Sequence, residues 1–201
     1  MASHSNSPLY TDEESARYLR ELASLNYRFI KLLGAGEQTC ISPGLSDTLR
    51  TTLASLPDES HRRLSSCPYS LFDLKFADVV FWTDLLCDAL PLHTKAPSRV
   101  REFALAALIY AQHLCYRSAD LGVLLLGLAP PVTVLLRQAS VGQLMDRTDH
   151  MAEILTARLI TDPHFWPDLV NYVQDGTQQQ YLAAQTSALQ LMAAQGAGWS
   201  R

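Results

Sequence analysis

The 201-residue chain lacks every short motif that announces a common chemistry. It has no G-x-S-x-G, no P-loop, no G-x-G-x-x-G and no H-E-x-x-H. Without a visible base, nucleophile or metal set, an enzyme is the last of the readings, and no cofactor is expected. His61, His93, His113, His150 and His164 are scattered. His113 and Cys115 share one helix-forming run but point to different sides of it. Cysteine is sparse too. Cys40, Cys67, Cys87 and Cys115 form no C-x-x-C, and no histidine stands at finger spacing, which argues against zinc. Spread through apolar segments, they read as buried thiols in a reducing cytoplasm.

Charge is also in short supply. Only 18% of residues are charged, the formal net charge is −4 and the sequence pI is about 5.8. A domain holding DNA unaided would usually be more basic, so a nucleic-acid role needs a local patch or a basic partner. The opening M-A-S-H-S-N-S-P has neither the charged nor the apolar region of a signal peptide. The leucine-rich charge-free stretch Leu121–Leu136 is broken by Pro130-Pro131. It falls short of the ~18–20 apolar residues a membrane helix needs, so no membrane span is expected.

What is present is a repeat. At a spacing of 83 residues, Leu22 falls on Leu105, Ala23 on Ala106, Leu25 on Leu108, Tyr27 on Tyr110, Gly44 on Gly127, Leu45 on Leu128 and Leu53 on Leu136. Leu71, Lys75 and Phe76 fall on Ile154, Arg158 and Leu159. One inserted residue makes the spacing 84. Asp78 then meets Asp162, and F-W-T-D-L-L meets F-W-P-D-L-V. A nearly gapless frame ending on a shared Phe-Trp-x-Asp-Leu implies two related helical units, fused like a dimer.

The hydrophobic fraction of 48% supplies ample core. Residues 1–10 read as a flexible arm and 11–90 as the first unit, with 91–97 the linker. Residues 98–175 read as the second unit and 176–201 as a C-terminal helix and tail. Thr11 with Glu14 has capping-box spacing. A long helix carries Tyr18, Leu19, Leu22, Leu25, Phe29, Ile30 and Leu33 at helical spacing and stops near Gly34-Ala35-Gly36. A helix capped by Ser46 runs to about Ser55, and Pro57-Asp58-Glu59 opens another. The alternating run Ser70–Phe76 reads as one short strand. A fourth helix is expected over about 78–90. The pattern restarts over about 98–118, with Val100, Phe103, Ala107, Leu108, Ala111, Leu114 and Cys115 on one face. Pro130-Pro131 opens the next helix, and Ser140 with Gln143 repeats the capping-box spacing. Asp162-Pro163 caps the helix of Phe165 and Trp166. The last helix, about 177–194, bears a sparse stripe of Tyr181, Leu182, Leu189 and Met192.

Trp82 and Trp166 occupy equivalent places, as do Tyr27 and Tyr110. They read as core or interface anchors. The simplest expectation is that each tryptophan closes the core of its own unit; the alternative is a contact between units or with a partner. The cations Arg62, Arg63, Lys75, Arg137, Arg147 and Arg158 occupy comparable stretches of the two units. They are either a solvated surface or candidate phosphate contacts.

Leu108–Leu128 reads L-I-Y-A-Q-H-L-C-Y-R-S-A-D-L-G-V-L-L-L-G-L and continues through Leu136 and S-V-G-Q-L (140–144) to Ala157-Arg158-Leu159. This resembles the flagellar master-regulator D subunit (FlhD) family, which has a long helix with an Ala-Gln-x-Leu step and a Leu-Gly-hydrophobic turn. The first unit is similar through G-L-S-D-T-L-R-T-T-L (44–53) and L-K-F (74–76), although its Ala-Gln is missing and Asp58-Glu59-Ser60 replaces the Gln step. The resemblance implies an all-α fold of two FlhD-like units in one chain, a pseudo-dimer. It also implies a transcription-regulator subunit that joins a zinc-binding FlhC-like partner, meets promoter DNA in that complex and helps recruit RNA polymerase, at flagellar or conjugative-element genes. The alternatives are a helical adaptor or antiactivator that never touches DNA, and a ligand-responsive domain with a pocket along 121–136.

Overall fold

A computed structural model describes residues 12–35, 44–87 and 97–196. Among these the protein is all-α, with two strands of two residues each. Helices α1 (Asp12–Gly34), α2 (Asp47–Ser55) and α3 (Asp58–Ser65) lead to strand β1 (Phe72–Asp73) and helix α4 (Val79–Leu86). Then follow α5 (Ser98–Arg117), the short α6 (Ala119–Leu121), a π-helical turn at Gly122–Leu126, α7 (Pro130–Gln138), α8 (Val141–Asp146) and α9 (Thr148–Ile154). Strand β2 (Thr156–Ala157), α10 (Phe165–Gln174) and α11 (Gln178–Gly196) complete the described chain.

Local chemistry sets several helix starts. The Ser46 hydroxyl accepts from the Leu49 amide at 3.3 Å. Ser140 and Gln143 close a reciprocal capping box at 3.1 and 2.9 Å. Asp78 caps the Phe81 amide at 2.9 Å, and Asp162 caps Phe165 at 3.0 Å and His164 at 2.8 Å. The expected Thr11 cap lies outside the described residues, as does Gly36.

The long helices α1 and α5 pack on each other, and α1 also receives α2 and α3. Helix α5 receives α7, α8 and α9. All seven residues expected on the inner face of α5, from Val100 to Cys115, are buried. One continuous core runs through both halves of the chain.

The expected strand over Ser70–Phe76 shrinks to Phe72–Asp73, antiparallel to Thr156–Ala157. Phe72 faces Ala157 and Asp73 faces Thr156. In the 84-residue frame each strand residue thus pairs with the counterpart of its neighbour. Lys75 and Leu159, one on each side, both adopt left-handed backbone (φ 54° and 53°), which ends the ladder.

Each indole meets its own unit, Trp82 stacking on Phe76 and Trp166 edge-on to Phe165, while the helix that carries it packs on the opposite half. Helix α4, bearing Trp82, packs on α7 of the second half. Helix α10, bearing Trp166, packs on α3 and α2 of the first. The stripe foreseen for α11 is corrected. Tyr181, Gln185 and Ala188 are buried, whereas Leu182 is exposed, about 100° round the helix from Tyr181.

Candidate functional site

The seam between the halves is crossed by backbone and side-chain bonds. Trp82 stacks on Phe76 with ring centroids 6.2 Å apart and donates its indole N–H to the Lys75 carbonyl at 3.0 Å. Trp166 donates to the Arg158 carbonyl at 2.8 Å. Backbone bonds cross the seam from Ser70 N–H to Leu125 O (2.8 Å), from Ala129 N–H to Phe76 O (3.0 Å) and from Arg158 N–H to Leu71 O (2.9 Å). Tyr110 is buried and donates its hydroxyl to the Tyr18 carbonyl at 2.9 Å, tying α5 to α1. Tyr27 is only half-buried and donates to the Asp58 carboxylate. This bond, with the cations Arg62 and Lys31 nearby, holds that carboxyl below its usual range.

The six candidate cations separate into two groups. Arg62 is exposed and paired with Asp58 at 2.9 Å. Lys75 is exposed, its amine 4.7 Å from the Phe81 ring centroid. Arg137 is exposed beside Tyr116 and Val134. Arg63 instead turns toward α11, donating to Gln178 at 3.3 Å and lying over the Tyr181 ring at 5.1 Å. Arg147 is buried at the α8–α9 joint. Arg158 donates to the Ser70 hydroxyl at 2.6 Å and lies against Gly127. Charge patterning does not separate these groups, because spacing alone leaves the direction of a long side chain undetermined.

Two buried polar side chains organise the core: Asn26, which the sequence reading passed over, and Gln112, the glutamine of the Ala-Gln step. The Asn26 amide, fully buried, donates to Ser65 O (3.3 Å) and Tyr69 O (2.9 Å) and accepts from Leu71 N–H (2.9 Å). Gln112 donates to Leu136 O (3.1 Å) and Ala139 O (2.6 Å). A lone amide on an apolar helix face was the available signal for both.

The thiols are not uniformly buried. Cys67 and Cys115 are buried, Cys87 is exposed at the end of α4, and Cys40 lies outside the described residues. Cys87 therefore corrects the expectation for its position: it caps the last turn of α4, beyond the buried Trp82–Leu85 face. Burial pushes the Cys67 thiol up and the Cys115 thiol up to about 12, so both stay protonated and poorly nucleophilic. His61 sits between the Lys31 amine (3.1 Å to Nδ1) and the Leu53 carbonyl (2.7 Å to Nε2). A lysine only donates, which makes Nδ1 the acceptor and Nε2 the donor. His93 is outside the described residues, and no group of three metal-ligating side chains gathers among those described.

Two hollows stand out. An open groove of about 560 Å³ runs between α1 and α5, lined by Arg17, Glu21, Leu25, Ile109, Tyr110 and His113. A more enclosed cavity of about 340 Å³ lies at the seam beside Arg158 and Asp73. Among the described residues no single helix is long and apolar enough to cross a membrane; the pair Ala119–Leu126 and Pro130–Gln138 is bent by 119°. No family model, no curated protein and no solved structure matches the chain.

Proposed function

We propose that the chain is a fused, two-unit counterpart of a FlhD-type subunit, a transcription regulator that works through a zinc-binding FlhC-like partner. The observation that carries the reading is the reciprocal seam. The Asp cap, the Trp-to-carbonyl bond and the left-handed residue before the cap recur on both sides of an antiparallel ladder. That arrangement suits two copies of one helical module joined as a pseudo-dimer. Promoter DNA is met within the complex, with RNA polymerase the downstream contact. The chain's own phosphate contacts fall to Arg62, Lys75 and Arg137, the cations that stand on the surface.

A salt-titrated binding assay tests this. It uses DNA from upstream of the chain's own operon, with and without a co-encoded FlhC-like subunit. Binding that requires the partner, falls with salt and weakens in Arg62→Ala/Lys75→Ala/Arg137→Ala supports the reading. Failure to bind any such partner overturns it.

A second reading, an adaptor or antiactivator without DNA contact, rests on three exposed apolar residues. Val134, Val141 and Met145 are 49%, 54% and 56% exposed. Their counterparts at the 83-residue spacing are the polar Thr51, Asp58 and Arg62. A firm complex with the partner but no affinity for DNA selects this reading.

A further inference from the structure

The seam cavity holds two opposite charges that do not close on each other. Arg158 and Asp73 both line its roughly 340 Å³. Their mutual attraction favours the charged guanidinium, against the burial that disfavours it. Yet among the described residues no ion pair joins them, because each is held by another group. The Arg158 guanidinium is fixed by Nη1 on the Ser70 hydroxyl at 2.6 Å, with Nη2 against Gly127. The Asp73 carboxylate is fixed by Oδ1, which accepts from the Phe76 amide at 3.1 Å. Of the five guanidinium donors, one reaches a protein acceptor, and the second carboxylate oxygen of Asp73 accepts no bond from a described residue. Around this separated pair the wall is mostly small and apolar, with Ala77, Gly127, Leu159, Ile160 and, from α11, Met192, and with Thr156 and Thr161 as its neutral polar members.

We propose that this cavity binds a free α-amino acid with an apolar side chain. A zwitterion supplies a carboxylate for Arg158 and an ammonium for Asp73, and so satisfies both without moving either. A simple anion would meet Asp73, and a simple cation would meet Arg158, each at a repulsive contact. The side chain then lies against Ile160 and Met192. The volume is at the small end of ligand pockets, which suits a single amino acid. Because Met192 belongs to α11, occupancy couples the seam to the C-terminal helix. This site is independent of the DNA and partner reading.

The test is calorimetric titration of the full chain with L-leucine, L-methionine and L-phenylalanine, and with N-acetyl-L-leucine and L-leucinamide. Emission of Trp166, whose indole is bonded to the Arg158 carbonyl, is read in parallel. Saturable binding of at least one free amino acid, about ten-fold or more tighter than either blocked leucine, is expected, because each lost charge-assisted bond is worth about a factor of ten. Arg158→Met and Asp73→Asn each weaken it comparably. Ala77→Leu, an exposed lining position, fills the cavity without touching either charge and abolishes binding, so it decides the matter if Arg158→Met does not fold. No saturable binding at millimolar amino acid, equal binding of the blocked forms, or binding undiminished in Asp73→Asn and Ala77→Leu overturns the proposal.

Discussion

Trp166 donates its indole N–H to the carbonyl of Arg158 at 2.8 Å, and the residue whose carbonyl it holds is the one whose guanidinium reaches Ser70 across the seam. Its counterpart Trp82 holds the Lys75 carbonyl at 3.0 Å, but that carbonyl also accepts from the Asp78 amide at 2.9 Å. Removing the two indole donors therefore has unequal consequences. Trp82→Phe leaves a carbonyl that is still bonded, whereas Trp166→Phe strips a half-buried acceptor of its only described partner. Both variants lose packing volume. Trp166→Phe is expected to cost about 1 kcal/mol more than Trp82→Phe in urea unfolding, the typical penalty of an unmade buried bond. Equal costs would count against this role for the Arg158 carbonyl.

Asn26 serves three backbone groups with one amide. Asn26→Leu keeps the shape approximately but leaves two carbonyls and one N–H without partners in a fully buried place. At about 1–3 kcal/mol for each unsatisfied group, a loss of roughly 3 kcal/mol or more is expected in the denaturant midpoint. A loss below 1 kcal/mol would mean that the segment from Ser65 to Leu71 finds other partners.

Gly127 has φ +64°, and a Cβ there would stand 1.7 Å from Arg158 Nη2. Gly127→Ala must both strain the backbone and push the guanidinium off Ser70, for more than about 1 kcal/mol in total. In an Arg158→Met background the collision is relieved, so the same substitution should cost less. A thermodynamic cycle measures the difference, and strict additivity would rule out the contact.

Alkali should weaken the fold. The Cys115 thiol is pushed up to about 12 by burial, while an unfolded thiol titrates near about 8.5. The native state therefore keeps a proton that the unfolded state releases. Stability from this group is complete below the unfolded value and falls by up to about 1.4 kcal/mol per pH unit as pH climbs toward 12. Guanidinium unfolding at pH 7 and pH 10 should show the drop, and Cys115→Ala should reduce it.

Accessibility separates the thiols. Iodoacetamide added to the native protein should modify Cys87 readily and leave Cys67 and Cys115 untouched until denaturant is added, as read by peptide mass mapping. Rapid native labelling of Cys67 would mean that α11, whose Tyr181 and Gln185 contact that sulfur at 3.6 and 3.7 Å, comes away from it.

The chain's helical periodicity, its Ser46, Ser140 and Asp162 caps and the buried face of α5 were all legible in the sequence. Each depends on interactions within a few residues, where side-chain spacing alone fixes geometry. The repeat, at its 84-residue spacing, likewise placed Trp82 and Trp166 in matching local settings. Which distant helices the Trp-bearing helices pack against, α7 for α4 and α2 and α3 for α10, was decided only in three dimensions. So was the sorting of the cations: Arg62, Lys75 and Arg137 face outward, Arg63 and Arg158 lie half-buried against other elements, and Arg147 is buried. Those outcomes turn on contacts between residues about 50–120 positions apart, such as Ser70 with Arg158 and Arg63 with Gln178. Local spacing carries no information about which distant surface a long side chain will meet; the packing of the two halves supplies it.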